Sequence, residues 1–296
     1  MLLNKRIPLS YIFKKVKVDI ILVMLFTIAI IIAKQYLHIP FELNATIPAG
    51  LGTAITLVLA FKLNQSYDRW WEARKIWGSI VNDSRSLIIQ LLNFTDDHSR
   101  REIKENAFRQ IAWCYGLANS LRKTGDYSRL EQFLSKEEFE SLKNSSNVPL
   151  KIANYISGSI KKLRKDREIN EFQQIQMDST IVRLVASMGK AERIKGTIFP
   201  KTYRMFLTFF VYIFLLTLAI SLTELHPAFE VPLLVTISCP YFLLTKTSVY
   251  MQDPFEDLPT DTAMTAISET IETNIKELIE DDSAVFEKSE FKFYKM

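Results

Sequence analysis

The sequence predicts an all-α membrane protein with four transmembrane helices and a large helical region outside the lipid. Three observations predict it: four long apolar runs, a concentration of charge between and after them, and apolar side chains recurring every three to four residues in the charged parts. Of 296 residues, 48% are hydrophobic and 24% are charged, so the mean hydropathy of +0.06 averages two kinds of sequence. So much charge excludes a chain buried wholly in lipid. The 20 Phe and 11 Tyr exclude a disordered one.

The four apolar runs are candidate membrane spans. A span needs about 20 residues to cross roughly 30 Å of hydrocarbon. The run at 205–222 meets this length outright, and those at 18–33, 47–61 and 231–245 reach it with flanking residues. Asp19 is the only charged residue within the four runs. For the runs at 47–61 and 231–245, a buried helix of a soluble core is the alternative interpretation.

Basic residues near the spans predict the orientation of the chain. Residues 1–17 carry five Lys or Arg and no acid, whereas the connection 223–230 carries Glu224 and Glu230 and no basic residue. Both chain ends are therefore expected in the cytoplasm, both short connections outside, and the spans in two tight hairpins. No small-residue cleavage site follows the first run, so we interpret it as a retained helix and not as a signal peptide. Four regions follow: spans one and two at 1–63, a cytoplasmic helical region at 64–204, spans three and four at 205–245, and a cytoplasmic helical tail at 246–296.

The two charged regions differ in sign. Residues 64–204 hold 25 Lys and Arg against 17 Asp and Glu, whereas the tail holds 5 against 12. Turn-forming residues at 124–126 and 144–149 predict breaks between helices, and 168–194 has the pattern of a long amphipathic helix. In the tail, one apolar stripe predicts a helix that packs against the rest of the chain: Ala263, Ile267, Ile271, Ile275 and Leu278.

No catalytic pattern is present in the sequence. It has no phosphate-binding loop, zinc-protease motif or nucleophile elbow, and its two Cys and three scattered His lack the spacing of a metal site or a disulfide framework. Acids interleave with the bases of the basic region, which makes nucleic acid a poor partner. We therefore predict no enzyme, no cofactor, no metal site and no nucleic-acid partner.

The most informative segment follows the second apolar run. Residues 64–78 read NQSYDRWWEARKIWG. Trp and Tyr beside an apolar run fit an interfacial aromatic belt, but a belt does not explain acids and bases interleaved over two helical turns. Such charges can pair along one helix or between neighbouring subunits. The candidate residues of this segment are Asn64, Tyr67, Asp68, Arg69, Trp70, Trp71, Glu72, Arg74, Trp77 and Gly78.

With this segment the sequence resembles the bestrophin family of ion channels, in particular its bacterial members. The matching stretch is FKLNQSYDRWWEARKIWGSIVNDSR at 61–85. Two further matches are ERIKGTIFPKTY at 192–203 and Asp-Pro-Phe at 253–255, which is similar to the Asn-Pro-Phe of the family. The order of spans, helical region and helical tail matches as well, so the resemblance covers almost the whole chain.

The resemblance implies a homopentamer in the inner membrane of a bacterium, with one axial pore and a narrow neck lined by the second span. The three neck positions of the family fall on Thr53, Leu57 and Phe61, where Thr53 replaces a more usual bulky apolar residue. A second, cytoplasmic constriction falls on Ile181. A ring of threonines would make the neck wider and wetter at its level.

Animal members of the family bind Ca²⁺ through a run of acids after Asn-Pro-Phe. In this chain only Glu256 and Asp257 follow directly, and Asp261 stands further on. Because Ca²⁺ takes six to eight oxygen ligands, two adjacent carboxylates supply too few of them. We predict no calcium site.

The predicted function is a pore that passes small monovalent inorganic ions passively, with a hydrophobic neck that gates by dewetting. Acidic outer connections slightly favour cations over chloride, although the basic cytoplasmic region argues the other way. The expected partners are membrane lipid, further copies of the chain and the ions themselves. The alternative is a non-conducting membrane scaffold or sensor whose cytoplasmic region binds a partner. A coupled transporter is disfavoured because the spans lack mid-membrane carboxylates.

Overall fold

A computed structural model describes residues 9–37, 43–96, 99–197, 201–222, 225–281 and 283. Every regular element in these residues is helical, and they contain no strand, which confirms the all-α prediction. A short 3-10 helix at Ser128–Gln132 lies between the third and fourth α-helices. The α-helices are α1 Leu9–Leu37, α2 Thr46–Phe94, α3 Arg100–Arg122, α4 Lys136–Leu142, α5 Val148–Lys165, α6 Glu171–Gly196, α7 Lys201–Ser221, α8 Pro227–Gln252 and α9 Met264–Leu278.

Four of these helices are long and apolar enough to cross a membrane. Each corresponds to one of the four predicted runs, so the chain is a membrane protein. The second one, α2, has 49 residues and continues unbroken past residue 63, where the first predicted region ends. The candidate spans are Phe13–Lys34, a part of Thr46–Phe94, Thr202–Ser221 and Ala228–Gln252.

The chain divides into two compact units, and the division falls within α2. We name residues 4–69 together with 198–252 the span unit. The described residues of 70–197 and of the chain from 253 onward form the helical unit.

Apolar side chains of α1, α2, α7 and α8 form the core of the span unit. Both α1 and α7 pack against α8. Gly52 of α2 lets Phe214 of α7 approach closely, because a Cβ added at Gly52 would lie 3.0 Å from Phe214 Cε2. Small residues at such contacts bring membrane helices together, where van der Waals packing drives their association. The arrangement of the spans as two hairpins stays a prediction.

Two ion pairs join α1 to α8 within the span unit. Lys34 Nζ lies 3.1 Å from Glu230 Oε1 and also donates to the carbonyl of Ala219. Lys246 pairs with Asp19 in the same way. Asp19 and Lys34 are the charges that the sequence places at the ends of the first span. Both are neutralised by partners on α8, which lowers the cost of holding a charge away from water.

In the helical unit, α3 is packed by α5, α6 and α9. The predicted breaks are confirmed: α3 ends at Arg122 before the left-handed residues Lys123 and Gly125, and α5 begins at Val148. The predicted long helix is α6, which starts at a capping box formed by Asn170 and Gln173. These local signals explain where the helices of the unit begin and end.

The apolar stripe of the tail packs as predicted. Ile271 and Ile275 of α9 are fully buried, and Ala263 at the start of the stripe is 6% exposed. Leu278 at the other end is 38% exposed. Burial of this stripe therefore holds most of α9 against the unit, in the way expected of an amphipathic helix.

A buried polar cluster adds a specific link between α9 and α3. Glu272, only 2% exposed, accepts a hydrogen bond of 2.8 Å from the Tyr115 hydroxyl. The same carboxylate lies 2.8 Å from Lys276 and 3.4 Å from Arg129. Burial and the adjacent Glu272 carboxylate raise the pKa of Tyr115, so that its hydroxyl remains a donor. Three donors thus satisfy one buried carboxylate.

Replacing Glu272 tests this link. We expect Glu272→Ala to lower the free energy of unfolding by about 1–3 kcal/mol, because it removes the carboxylate that accepts the hydrogen bond of the buried Tyr115 hydroxyl. The measurement is the thermal unfolding midpoint of the purified protein in detergent. Glu277→Ala is the matched control, since Glu277 is exposed on the same helix. Equal midpoints for the two variants would contradict the assignment.

Candidate functional site

Within the span unit, α2 has one buried face and one exposed face. The buried face repeats every three to four residues, as a helix requires, and it comprises Gly52, Ile55, Leu59, Lys62 and Ser66. The three predicted neck residues lie on the other side of the helix. All three are exposed: Thr53, Leu57 at 58% and Phe61 at 61%.

The predicted neck residues form a row, each one turn of helix after the last. The Thr53 hydroxyl donates to the carbonyl of Ala49 at 2.9 Å, so its proton is used within the helix. Leu57 and Phe61 are large apolar side chains that are exposed on the single subunit. Exposed apolar patches mark surfaces that another molecule covers. The structure thus makes the row accessible, and its role as a neck stays a prediction.

Two residues of the candidate segment donate hydrogen bonds to backbone carbonyls at the end of α8 and in the loop that follows it. Arg69 Nε donates to the carbonyl of Gln252, the last residue of α8, at 2.7 Å. A helix leaves its last carbonyls without helical partners, and a basic side chain can satisfy one of them. Trp70 Nε1 donates to the carbonyl of Thr260 at 2.8 Å. Arg69 and Trp70 therefore fix the backbone at Gln252 and Thr260 by hydrogen bonds.

The other residues of the segment differ in exposure. Trp77 is fully buried, so the aromatic-belt interpretation does not apply to it, whereas Trp71 and Tyr67 are 47% and 46% exposed. Glu72 lies 2.6 Å from Lys75, which is pairing along one helix. Of the remaining candidate residues, Arg74 is half-buried, and Asn64, Asp68 and Gly78 are exposed.

The structure places Ile181, the predicted cytoplasmic constriction, on α6, and its role stays a prediction. Ile181 is 8% exposed and belongs to the hydrophobic core of the helical unit, together with Leu184. The exposed apolar side chains of α6 are Phe172 at 83%, Ile175 at 65% and Val182 at 65%. Val182, the next residue along the chain, is therefore a second candidate beside Ile181.

The loop after α8 has its carboxylates paired within the chain. Asp253 lies 2.6 Å from Lys195 Nζ of α6, and Asp257 lies 2.8 Å from Arg122 of α3. The Asp253 side chain also accepts a hydrogen bond of 3.3 Å from the N–H of Phe255, which is fully buried. Asp253 and Asp257 are therefore paired with basic side chains, whereas binding a divalent cation would require free carboxylates.

Asp261 completes this loop. Its Oδ2 accepts hydrogen bonds from the N–H groups of Glu256 at 2.8 Å and Leu258 at 3.1 Å. Burial raises the pKa of Asp261 to about 6. Within the described ranges, no three His, Cys, Asp or Glu residues are grouped to hold a metal ion. The lack of a calcium site stays a prediction, which the pairing of Asp253 and Asp257 supports.

Sequence reasoning missed Lys195 and Arg122. Lys195 precedes Asp253 by 58 residues, and no periodicity relates the two positions. In a chain with 37 Lys and Arg, both residues have the pattern of ordinary solvated charges. Only the fold brings them to the loop after α8.

Comparison with known proteins decides the family. A family model described as Bacterial/Fungal Bestrophin protein matches residues 5–277. The chain is a member of the bestrophin family. A bacterial bestrophin homologue from Klebsiella pneumoniae has a similar crystal structure, with a TM-score of 0.83 and 26% identity over 90% of this chain and 98% of that one.

Curated relatives of this bestrophin carry a functional name. A voltage-dependent anion channel-forming protein of Nostoc sp. is 28% identical over 240 residues, which cover 80% of this chain and 77% of the relative. A protein of the same name from Ralstonia nicotianae is 27% identical over 268 residues, with 88% and 87% covered. The resemblance drawn from the motifs is therefore confirmed at the level of the family.

Calcium should leave this bestrophin unchanged. We expect CaCl₂ at about 1 mM not to move the thermal unfolding midpoint, since a ligand stabilises a fold only by binding it, by about 2.7 kcal/mol at a hundred times its dissociation constant. The controls are MgCl₂ at equal ionic strength and buffer with a chelator. A rise of several degrees specific to Ca²⁺ would contradict the assignment of Lys195 and Arg122 as the partners of the loop carboxylates.

Proposed function

We propose that this bestrophin is the subunit of an ion channel that conducts small monovalent ions passively through an axial pore lined by α2. The observation that carries the proposal is the accessible row of Thr53, Leu57 and Phe61 on α2. It occurs in a chain whose curated relatives are named anion channel-forming proteins.

The chemistry of the row suits a hydrophobic gate. Copies of α2 arranged around one axis would bring together a ring of Leu57 and a ring of Phe61, about 6 Å apart along the helix. Water leaves a narrow apolar constriction, and ions then meet a barrier. Thr53, whose hydroxyl is bonded to Ala49, would border the gate at a wider and wetter level. The gate therefore consists of two apolar rings.

The assembly that we propose is a homopentamer in the bacterial inner membrane, with both chain ends in the cytoplasm and the spans in two hairpins. Membership of the bestrophin family supports the assembly. Lys14 and Lys17 are exposed near the start of α1, which fits the excess of basic residues on the cytoplasmic side and their attraction to anionic lipid. The regions 64–204 and 246–296 would then form the cytoplasmic part, as the sequence suggests.

The choice of ion requires a new argument. Glu230 is 2% exposed and paired with Lys34, so its charge does not act at an outer mouth. Glu42 and Glu224, the other acids of the outer connections, lie outside the described residues. The names of the curated relatives favour anions. Our proposal is that monovalent cations pass more readily than chloride, on the basis of Asp68, which follows the neck on α2.

A non-conducting scaffold is the second candidate, and one observation favours it. The exposed apolar side chains of α6, namely Phe172, Ile175 and Val182, could bind a partner protein. Ion flux from liposomes that contain only the purified protein separates the two functions, because a scaffold produces none.

Substitutions in the neck test the channel directly. We expect Leu57→Ala and Phe61→Ala to raise single-channel conductance in planar bilayers, because a wider apolar ring holds water more readily. Leu57→Trp is expected to block flux from liposomes. Leu63→Ala is the matched control, since Leu63 lies on the opposite side of α2 and is half-buried. Unchanged single-channel current in both alanine variants would show that the neck is assigned to the wrong residues.

A second pair of variants tests the cytoplasmic constriction. We expect Val182→Ala to change conductance and leave stability nearly unaffected, because Val182 is 65% exposed. Ile181→Ala should leave conductance unchanged and lower the free energy of unfolding by about 2–5 kcal/mol, the usual cost of such a cavity. The opposite result would support Ile181 as the constriction and exclude Val182.

A further inference from the structure

The exposed face of α2 continues past the neck with polar side chains. Asn64 follows Phe61 by three residues and Asp68 follows it by seven, and both spacings keep a residue on the same side of a helix. Both side chains are exposed. Asp68 stands about 10 Å along the helix axis from Phe61. Like the neck residues, it belongs to the span unit.

Asp68 differs from the carboxylates that follow it on α2. Glu72 lies 2.6 Å from Lys75, and Asp83 lies 2.8 Å from Arg183. Asp68 has neither a hydrogen-bond partner nor an ion-pair partner in the part of the chain that the structure describes. Its negative charge is therefore uncompensated on the single subunit.

The nearest basic residues on α2 do not supply the missing charge. Lys62 is 1% exposed and lies on the buried face of the helix. Arg69 is engaged with the carbonyl of Gln252. Neither residue shares the exposed side of α2 with Phe61. The next basic residue on that side, Lys75, follows Asp68 by seven residues and is paired with Glu72.

We propose that Asp68 is the residue that sets the ion specificity of the pore. Repeated by every copy around the axis, the carboxylates form a negative ring at the inner end of the neck, which attracts monovalent cations and repels chloride. The inference rests on the proposed function, because it requires α2 to line the pore. Rings of Asp or Glu are a common source of cation selectivity.

Distance and screening decide whether such a ring acts on the neck. The separation of about 10 Å is close to one Debye length at 0.1 M salt, so the field still reaches ions at Phe61. Charged, low-dielectric clefts change local counter-ion concentration by about tenfold or more. A single carboxylate per subunit does not replace the hydration shell of the ion. Selection is therefore by sign of charge, with Na⁺ and K⁺ treated nearly alike.

Reversal potentials under a NaCl gradient across planar bilayers test the proposal. We expect a Na⁺ to Cl⁻ permeability ratio above one for the wild type. Asp68→Asn, which keeps the shape and removes the charge, should lower the ratio by about tenfold. Asp68→Lys should bring it below one. Asp83→Asn is the matched control, because it is the same change on the same helix at a carboxylate neutralised by Arg183.

Two further measurements distinguish a charge in the pore from a structural role. The Na⁺ to Cl⁻ permeability ratio of the wild type should decrease when the salt concentration is raised from 0.1 M to 1 M, because the Debye length falls from about 10 Å to about 3 Å. The ratio of Asp68→Asn should not change. Asp68→Cys, in a Cys239→Ser background, should lose selectivity and regain it with an anionic thiol reagent. Cys114 does not interfere, since it is fully buried and burial raises the pKa of its thiol to about 12.

Each outcome decides one of the two proposals. An unchanged ratio in Asp68→Asn and Asp68→Lys, with Leu57→Ala still raising conductance, overturns the role of Asp68 and leaves the pore in place. An unchanged ratio with a lower unfolding temperature of the oligomer shows Asp68 paired to a neighbouring copy, which also overturns it. If Leu57→Ala and Phe61→Ala leave the current unchanged as well, the pore lining of the proposed function fails instead.

Discussion

The burial of one face of α2 within its own subunit is the constraint on which the rest of the structure depends. Ile55 and Leu59 lie in the core of the span unit, and Gly52 lets Phe214 approach. Because a helix has 3.6 residues per turn, the row that is buried determines the row that is exposed. Rotating α2 to hide Phe61 would expose that buried row and push a Cβ-bearing residue against Phe214. The core therefore fixes which side chains can face another molecule.

Much of the fold could be predicted from the sequence, because its signals are local. Apolar runs about as long as the hydrocarbon is thick predicted the spanning helices, and turn-forming residues at 124–126 predicted the end of α3. The family position of Ile181 was less secure, since counting residues locates a turn of helix but not its rotation. One residue turns a helix by about 100°, as 3.6 residues per turn implies. That single step exchanges the buried Ile181 for the exposed Val182.

Contacts between distant segments were beyond sequence reasoning. The pair formed by Lys34 and Glu230 joins residues that are 196 positions apart, and nothing in either segment specifies the other. It also changes an electrostatic argument, because an acid that is neutralised by a lysine contributes no field at a pore mouth. Exposure and pairing, and not the count of acids and bases, decide which charges an ion would meet. By that criterion Asp68 is relevant and Glu230 is not.

The pairing of the loop after α8 with Lys195 and Arg122 has a consequence for control of the protein. A positive charge carried on a covalently attached side chain cannot be diluted, chelated or exchanged for another ion. Side chains of the chain itself therefore hold this loop in place. To loosen it, a cell would have to neutralise the lysine chemically, as acylation does, or protonate the carboxylates.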